Sequence, residues 1–252
     1  CERLLHAGLS QVRLTVGENL SLENERISEG TPETMREREV SRLTVVLAEN
    51  PAAGRTLPRP LTHGLPDEAF LRGKTPMTKL EVRSVSLSKL ALTENAVVYD
   101  VGAGTGSVSV ECARLSSGIR VFSIERDPEA LELLEKNRQQ FSLSNMEIVA
   151  GTAPEALEGL PAPTHVFIGG SGGSMGRIVD TVLRKNGAAR FVANLITLES
   201  LAAVMDLPRA LPVTDPEIVM VTAARSKKAG NSHLMLGANP VWIVTFSGRE
   251  DQ

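Results

Sequence analysis

Short apolar runs rich in β-branched residues alternate with amphipathic segments along most of this chain. Residues 96–101 (AVVYDV), 120–125 (RVFSIE), 146–150 (MEIVA), 164–169 (THVFIG) and 189–194 (ARFVAN) read as buried strands. Between the second and third lies 128–141 (PEALELLEKNRQQF), where Leu131, Leu134 and Phe141 fall roughly along one helical face and Asp127 stands as N-cap. Such alternation predicts a parallel sheet with helices on both sides. Two further runs, 217–224 (EIVMVTAA) and 241–246 (VWIVTF), have no convincing helix between them and predict an antiparallel pair closing the sheet. The expectation is an α/β fold with a seven-stranded, mostly parallel sheet and a terminal antiparallel strand, over about residues 65–246.

The start of the chain has a different pattern. It holds two strand-like runs, 12–20 (VRLTVGENL) and 43–50 (LTVVLAEN). Between them, 31–40 (TPETMREREV) predicts a short helix with Thr31 as N-cap and Pro32 in its first position. Pro and Gly then crowd residues 51–66 (PAAGRTLPRPLTHGLP), a linker signature. The expected domains are 1–53 and 54–252. The first is too short and too polar to build an independent core, so it reads as the tail of a preceding domain.

Composition changes this picture little. The 252 residues are 42% hydrophobic and 23% charged, the balance of an ordinary globular protein. A net charge of -3 argues against a protein that coats nucleic acid, and 3% aromatic residues argue against a base-stacking platform. No apolar run approaches the ~18 residues that span a bilayer. The chain opens CERLLHAGLS, without Met and without a signal-peptide pattern, so a piece of something longer in a reducing cytoplasm is expected. Cys1 and Cys112 offer neither a disulfide framework nor metal-ligand spacing, and His6, His63, His165 and His233 are scattered, so no metal is expected. Cys112 reads as a core residue.

The stretch 97–113 (VVYDVGAGTGSVSVECA) carries the most chemistry. A strand runs into Asp100, then through Gly102, Ala103, Gly104, Thr105 and Gly106 into a helix. Glycines at such a turn let the backbone approach a ligand where a Cβ would collide, and the helix that follows aims free N–H groups at it. Dinucleotide sites space their glycines G-x-G-x-x-G. Here the spacing is G-x-G-x-G with an acid two residues ahead, the pattern of S-adenosylmethionine methyltransferases. Asp100 can accept from the loop's own amides or, through water, from the ligand's amino group. Glu125, at the end of the next strand, is placed to hold ribose hydroxyls. Thr152 and Ala153 follow the third strand, where an adenine ring would be met; Thr152 could equally cap a helix beginning at Pro154.

Three more segments narrow the resemblance: 64–92 (GLPDEAFLRGKTPMTKLEVRSVSLSKLAL), 167–173 (FIGGSGG) and 239–246 (NPVWIVTF). With DVGAGTG they resemble the decarboxylating precorrin methyltransferases of cobalamin biosynthesis, which methylate C15 and remove the carboxyl of the ring C acetate. The run VRLTVGENLSLENERISEGTP with LTVVLAENP is similar to the end of a tetrapyrrole methylase domain acting at C5, and the two are fused in the C5,15-methyltransferases. The resemblance implies a Rossmann-like, S-adenosyl-L-methionine-dependent enzyme that forms homotetramers and takes a tetrapyrrole, with neither nucleic acid nor membrane as partner. It puts Thr78 on the lid side of the cofactor; Thr75-Pro76 already marks a helix start nearby, so a capping role is the alternative.

The substrate carries many carboxylates, so a basic rim is expected. Arg72, Lys74, Lys79 and Arg83 form one candidate group, and Arg225, Lys227 and Lys228 another, with Gly170 and Ser171 lining the transfer site. No catalytic residue is identified: the protein has mainly to align two partners and exclude water. A methyltransferase with another acceptor, a nicotinamide-dependent oxidoreductase and a non-catalytic binding module remain the competing readings.

Overall fold

A computed structural model describes residues 1–6, 9–51 and 62–249, and the chain divides into two compact units, Cys1–Pro60 and Leu61–Gln252. The domain boundary expected at residue 53 lies outside the described residues.

The first unit holds helix α1 (Glu2–His6) and three antiparallel strands, β1 (Arg13–Glu18), β2 (Arg26–Gly30) and β3 (Thr44–Glu49), with β1 in the centre. Val12, Leu14 and Met35 form its small core. Glu18, buried at the end of β1, accepts from Arg26 Nε at 2.8 Å and Nη2 at 2.9 Å and from the Ser41 amide at 2.9 Å. The Ser41 amide is the largest influence holding its carboxyl below the ordinary glutamate range. The helix expected over 31–40 is absent. One turn closes, Met35 N–H to Thr31 O at 3.0 Å, and then stops. Only Met35 has a core to pack against, and a helix this short does not persist without a buried face. The strand β2 escapes a search for apolar runs because RISEG is polar and exposed.

The second unit runs α2 (Leu80–Leu90), β4 (Val97–Val101), α3 (Ser107–Leu115), β5 (Arg120–Glu125), α4 (Pro128–Gln140), β6 (Met146–Ala150), β7 (His165–Ile168), α5 (Met175–Lys185), β8 (Arg190–Leu195), α6 (Leu198–Met205), α7 (Leu207–Ala210), β9 (Glu217–Val221), β10 (Ala224–Ala229), β11 (Ser232–Gly237) and β12 (Val241–Ser247). Seven strands form one sheet in the order β6-β5-β4-β7-β8-β12-β9. β12 is antiparallel to both neighbours, so the other six all point one way. The last strand in the chain is therefore not the last in the sheet: β12 is inserted between β8 and the edge strand β9.

Both faces of the sheet are covered, as its continuous apolar strands require. Tyr99 and Val101 of β4 face the layer of α5 and α6, while Val98 faces α2, α3 and α4. Leu134 of α4 and Cys112 of α3 are fully buried in that second layer. Asp127 caps α4 by accepting from the Ala130 amide at 2.9 Å. Phe191 of β8 and Phe246 of β12 are paired in register and stack at 4.8 Å, which adds about 0.5–1.5 kcal/mol to their burial and helps seat β12. His165 is buried at the base of β7, where its Nδ1 meets Thr164 Oγ1 at 2.8 Å. Burial pulls its pKa down, in keeping with a structural role.

The link between β9 and β12, expected to be non-strand, is the hairpin β10–β11. Its strands are exposed throughout, so no alternation marks them. The two-residue turn Gly230-Asn231, with Gly230 at φ +61°, is the signal that could have found it.

Candidate functional site

The order of the sheet reverses at β4, whose two neighbours β5 and β7 lead away in opposite directions. A crevice must open at the carboxyl ends of such strands, since the connections leave on opposite faces. A cavity of about 1010 Å3 lies there. Its floor comes from the strand ends at 100–104, 124–127, 151–153 and 169–172, and Asn194 of β8 closes one side. Residues 74–79 and the base of the hairpin β10–β11 form its upper walls.

The three loop glycines serve three different ends. A Cβ on Gly102, at φ +73°, would stand 2.8 Å from both N and O of Gly170, so it lets two strand-end loops touch. A Cβ on Gly104, at φ +55°, would meet Pro76 O at 3.2 Å, beneath the upper wall. Gly106, at φ +78°, precedes α3, and a Cβ there would lie 2.2 Å from Leu134 Cδ1. Gly102, Ala103 and Gly104 line the cavity. Thr105 and Gly106, expected with them, do not: Thr105 is buried behind the loop and Gly106 lies against α4. Asn137 of α4, unremarked in the sequence, holds this loop through Thr105 O at 2.8 Å and the upper wall through Leu71 O at 2.9 Å and Leu71 N at 2.8 Å.

Asp100 is fully buried at the end of β4. Its Oδ2 accepts from the amide of Ser109 at 3.0 Å and from the Ser109 hydroxyl, so it caps α3; the loop glycines, expected as its donors, do not reach it. Ser123 donates in turn to Ser109 Oγ at 2.7 Å. Oδ1 has no partner among the described residues although it is buried. Burial, reinforced by the negative charge of Glu125, pushes the carboxyl up to about 6. A cationic group in the cavity would remove that penalty. Glu125, at the end of β5, accepts from Gly104 N at 2.8 Å, Arg126 N at 2.7 Å and Asp127 N at 2.9 Å. It thus holds the loop while facing the cavity, and one of its roughly four acceptor positions is left for a ligand hydroxyl.

Thr152, Ala153, Thr78, Lys79, Gly170 and Ser171 all line the cavity. Thr152 caps no helix; a short 3-10 turn, Glu155–Leu157, follows instead. Nor does Thr78: α2 begins at Leu80, beyond the Thr75-Pro76 turn, and its first amide donates to Asp67 Oδ1 at 3.0 Å.

The basic rim is smaller than the sequence suggests. Arg83 is fully buried, donating to Glu111 Oε1 at 2.8 Å, Asp67 Oδ1 at 3.3 Å, Thr78 O at 2.6 Å and Leu65 O. Arg225 is engaged by Asp67 and Glu81. Those two acids raise its pKa still further, Glu81 most. Burial pulls the Asp67 carboxyl upward, but Arg225 and Arg83 outweigh it and the net shift is downward. Arg72 and Lys228 lie outside the cavity wall; Lys74, Lys79 and Lys227 lie on it, joined by Arg126, which the sequence did not single out. Among the described residues no group of acids, histidines and cysteines could hold a metal.

An uncompensated buried acceptor, a second acid at the neighbouring strand end and a glycine cradle suit a nucleoside that carries a positive charge. Comparison with known proteins agrees. The family model described as the precorrin methyltransferase domain matches residues 68–246. A probable cobalt-precorrin-6B C(15)-methyltransferase (decarboxylating) of Pyrobaculum calidifontis is 41% identical over 187 residues, covering 73% of this chain and 95% of that protein. A precorrin-6Y C(5,15)-methyltransferase [decarboxylating] of Sinorhizobium sp is 31% identical over 244 residues, 97% of this chain but 57% of the longer relative. The crystal structure of precorrin-6y C5,15-methyltransferase from Geobacter metallireducens superposes with a TM-score of 0.69 at 37% identity, covering 74% of this chain and 96% of that one. In sequence, sheet order and cavity placement alike, this chain belongs to the precorrin methyltransferase family.

Proposed function

We propose that this chain methylates C15 of a precorrin and decarboxylates its ring C acetate, in cobalamin biosynthesis. The observation that carries the reading is the switch-point cavity, with the uncompensated Asp100 beneath a glycine cradle and lysines at the mouth. S-adenosyl-L-methionine, when bound, supplies an electrophilic methyl group on a cationic sulfur. Gly102, Ala103 and Gly104 admit it closely, Asp100 faces its positive charge, Glu125 accepts from ribose hydroxyls, and Thr152 and Ala153 meet the adenine. Thr78 covers it from the upper wall.

The tetrapyrrole enters on the hairpin side, where Lys79 and Lys227 attract its carboxylates and the backbone of Gly170 and Ser171 borders the reacting edge. The protein's contribution is alignment of an electron-rich ring carbon and exclusion of water. In the decarboxylation the carbon–carboxyl bond breaks, carbon dioxide leaves, and the electron pair passes into the conjugated macrocycle. Incubation with labelled S-adenosylmethionine and a precorrin mixture tests this: label in the tetrapyrrole together with released carbon dioxide is expected. Methylation of another acceptor, or calorimetric binding of NAD in place of S-adenosylmethionine, would overturn it.

We infer further that residues 1–53 are the tail of a C5 tetrapyrrole methylase domain, and that this chain has no C5 activity. The alignment with the Sinorhizobium relative runs through this region, and Val45, Val46 and Leu47 of β3 present an apolar surface that a longer domain would cover. A homotetramer in the cytoplasm completes the reading. Exposed Leu234, Met235 and Leu236 on the hairpin offer a subunit contact, and among the described residues no helix is long and apolar enough to cross a membrane. Light scattering is expected to show a tetramer; a monomer alone would remove that part.

A further inference from the structure

The hairpin β10–β11 is exposed along both strands, yet Arg225, Ser226 and Lys227 wall the cavity. A two-stranded hairpin is marginal in water on its own, so its place over the cavity depends on contacts with the rest of the unit. Arg225 makes them. Its Nε and Nη2 donate to the two oxygens of Glu81 at 2.9 and 2.6 Å, a two-pronged fork. Its Nη1 donates to Asp67 Oδ2 at 2.8 Å. Asp67 is buried, and its other oxygen accepts from the Leu80 amide and from the fully buried Arg83. The hairpin is thereby fastened to the carboxylate that starts α2 and, through Arg83, anchors Leu65 and Thr78 of the upper wall.

We propose that Arg225 is a positioning residue: a clasp, acting through Asp67 and Glu81, that holds the hairpin over the cavity and sets Lys227 at the substrate side. Arg225 and Lys227 are two residues apart on one strand and so share a face, whereas Lys228 faces the other way. A substrate carboxylate approaching Arg225 meets two carboxylates already bound there, and like charges in a partly buried site repel. Lys227 is the cation that the clasp presents. The substrate half of this proposal rests on the tetrapyrrole reading above; the clasp itself does not.

The test uses the full chain with Arg225→Ala, Glu81→Ala, the double variant and Arg225→Lys. Asp67 is left intact, because its removal would strip a buried partner from Arg83. Three quantities are read: amide hydrogen exchange over 224–237, KM for the tetrapyrrole and calorimetric Kd for S-adenosylmethionine. In Arg225→Ala, hairpin protection should fall about tenfold, because an exposed two-stranded element opens locally once its anchor is gone. KM should rise about tenfold while the cofactor Kd stays within about twofold, since only the substrate side moves. Glu81→Ala should shift exchange and KM partway in the same direction. The double variant should be no worse than Arg225→Ala, as both changes remove one contact. Arg225→Lys should recover part of both losses together.

Unchanged hairpin exchange in Arg225→Ala would overturn the clasp. So would a lower KM in Glu81→Ala, the mark of an Arg225 freed to bind substrate directly. A parent protein that fails to turn over any precorrin would remove the proposed function, while the exchange measurement would still decide the clasp.

Discussion

Gly106 and Leu134 meet where the glycine loop enters α3, so closely that a Cβ on the glycine would lie 2.2 Å from Leu134 Cδ1. The third glycine of the loop thus answers to helix packing, and the first two answer to the cavity. Gly106→Ala combines this overlap with a side chain at φ +78°, and should cost about 2–4 kcal/mol of stability. Cofactor affinity of the protein that remains folded should stay near that of the parent. Adding Leu134→Ala should give a loss smaller than the sum of the two single changes, because the smaller side chain relieves the clash. Additive melting shifts would show that the contact is not the cause.

Gly104→Val should act the other way. Its side chain points at Pro76 O and the cavity, so cofactor binding should fail while the sheet persists. Binding equal to the parent, measured by calorimetry, would move the site elsewhere.

Asp100 links stability to pH. Its folded pKa, about 6, lies above the ordinary aspartate value of 3.8. Between those values the folded chain holds a proton that the unfolded chain has released, so this group's contribution falls as pH rises from about 4 to 6 and is level above. The size is on the order of 3 kcal/mol for a shift of this kind. Asp100→Asn should therefore melt higher than the parent at pH 7.5, with the difference vanishing near pH 4. It should also weaken cofactor binding, since a neutral amide cannot compensate a cation. Binding to the parent near pH 6 should release a proton, seen as a calorimetric heat that depends on the buffer. Parallel melting curves for parent and variant across this range would exclude Asp100 as the titrating group.

Glu125 has two tasks, and its removal should show both. Glu125→Ala takes the acceptor away from three backbone amides and from the ligand, so cofactor affinity should drop by roughly 1.5–3 kcal/mol and the melting temperature should drop with it. Glu125→Gln keeps one acceptor oxygen and should fall between. A variant that melts lower yet binds normally would confine Glu125 to holding the loop.

The two neighbouring lysines of β10 should behave differently. Lys227→Glu reverses a charge on the cavity wall and should raise KM for a polycarboxylate substrate, most strongly at low salt, since exposed charges are screened over ~8 Å at physiological ionic strength. Lys228→Glu, off that wall, should change KM little, and neither should alter cofactor affinity. Equal effects from both would reduce the hairpin to a general field.

The strands of the second unit were legible because they are buried on both faces and therefore continuously apolar, with turn residues between. The glycine loop and Glu125 were legible because a close backbone approach and a strand-end acid leave residue types that few other needs explain. RISEG and the hairpin around Gly230-Asn231 were not, since exposed strands carry no hydrophobic signature. The helix over 31–40 failed for the converse reason: its capping signals are local, and a helix also needs a surface to cover.

The sequence by itself thus determined the parallel sheet, the switch-point cradle and the two acids, all of which follow from patterns local to a strand and its turn. Only the tertiary structure decided what the charges do. Arg83 and Arg225 look like rim residues in a linear reading, and are held instead by acids 28 positions away at Glu111 and 158 away at Asp67. The same holds for Gly106, whose partner Leu134 belongs to the next helix but one surface of contact. A charge or a glycine shows its type in the sequence, but its role depends on which distant group the packed fold sets beside it.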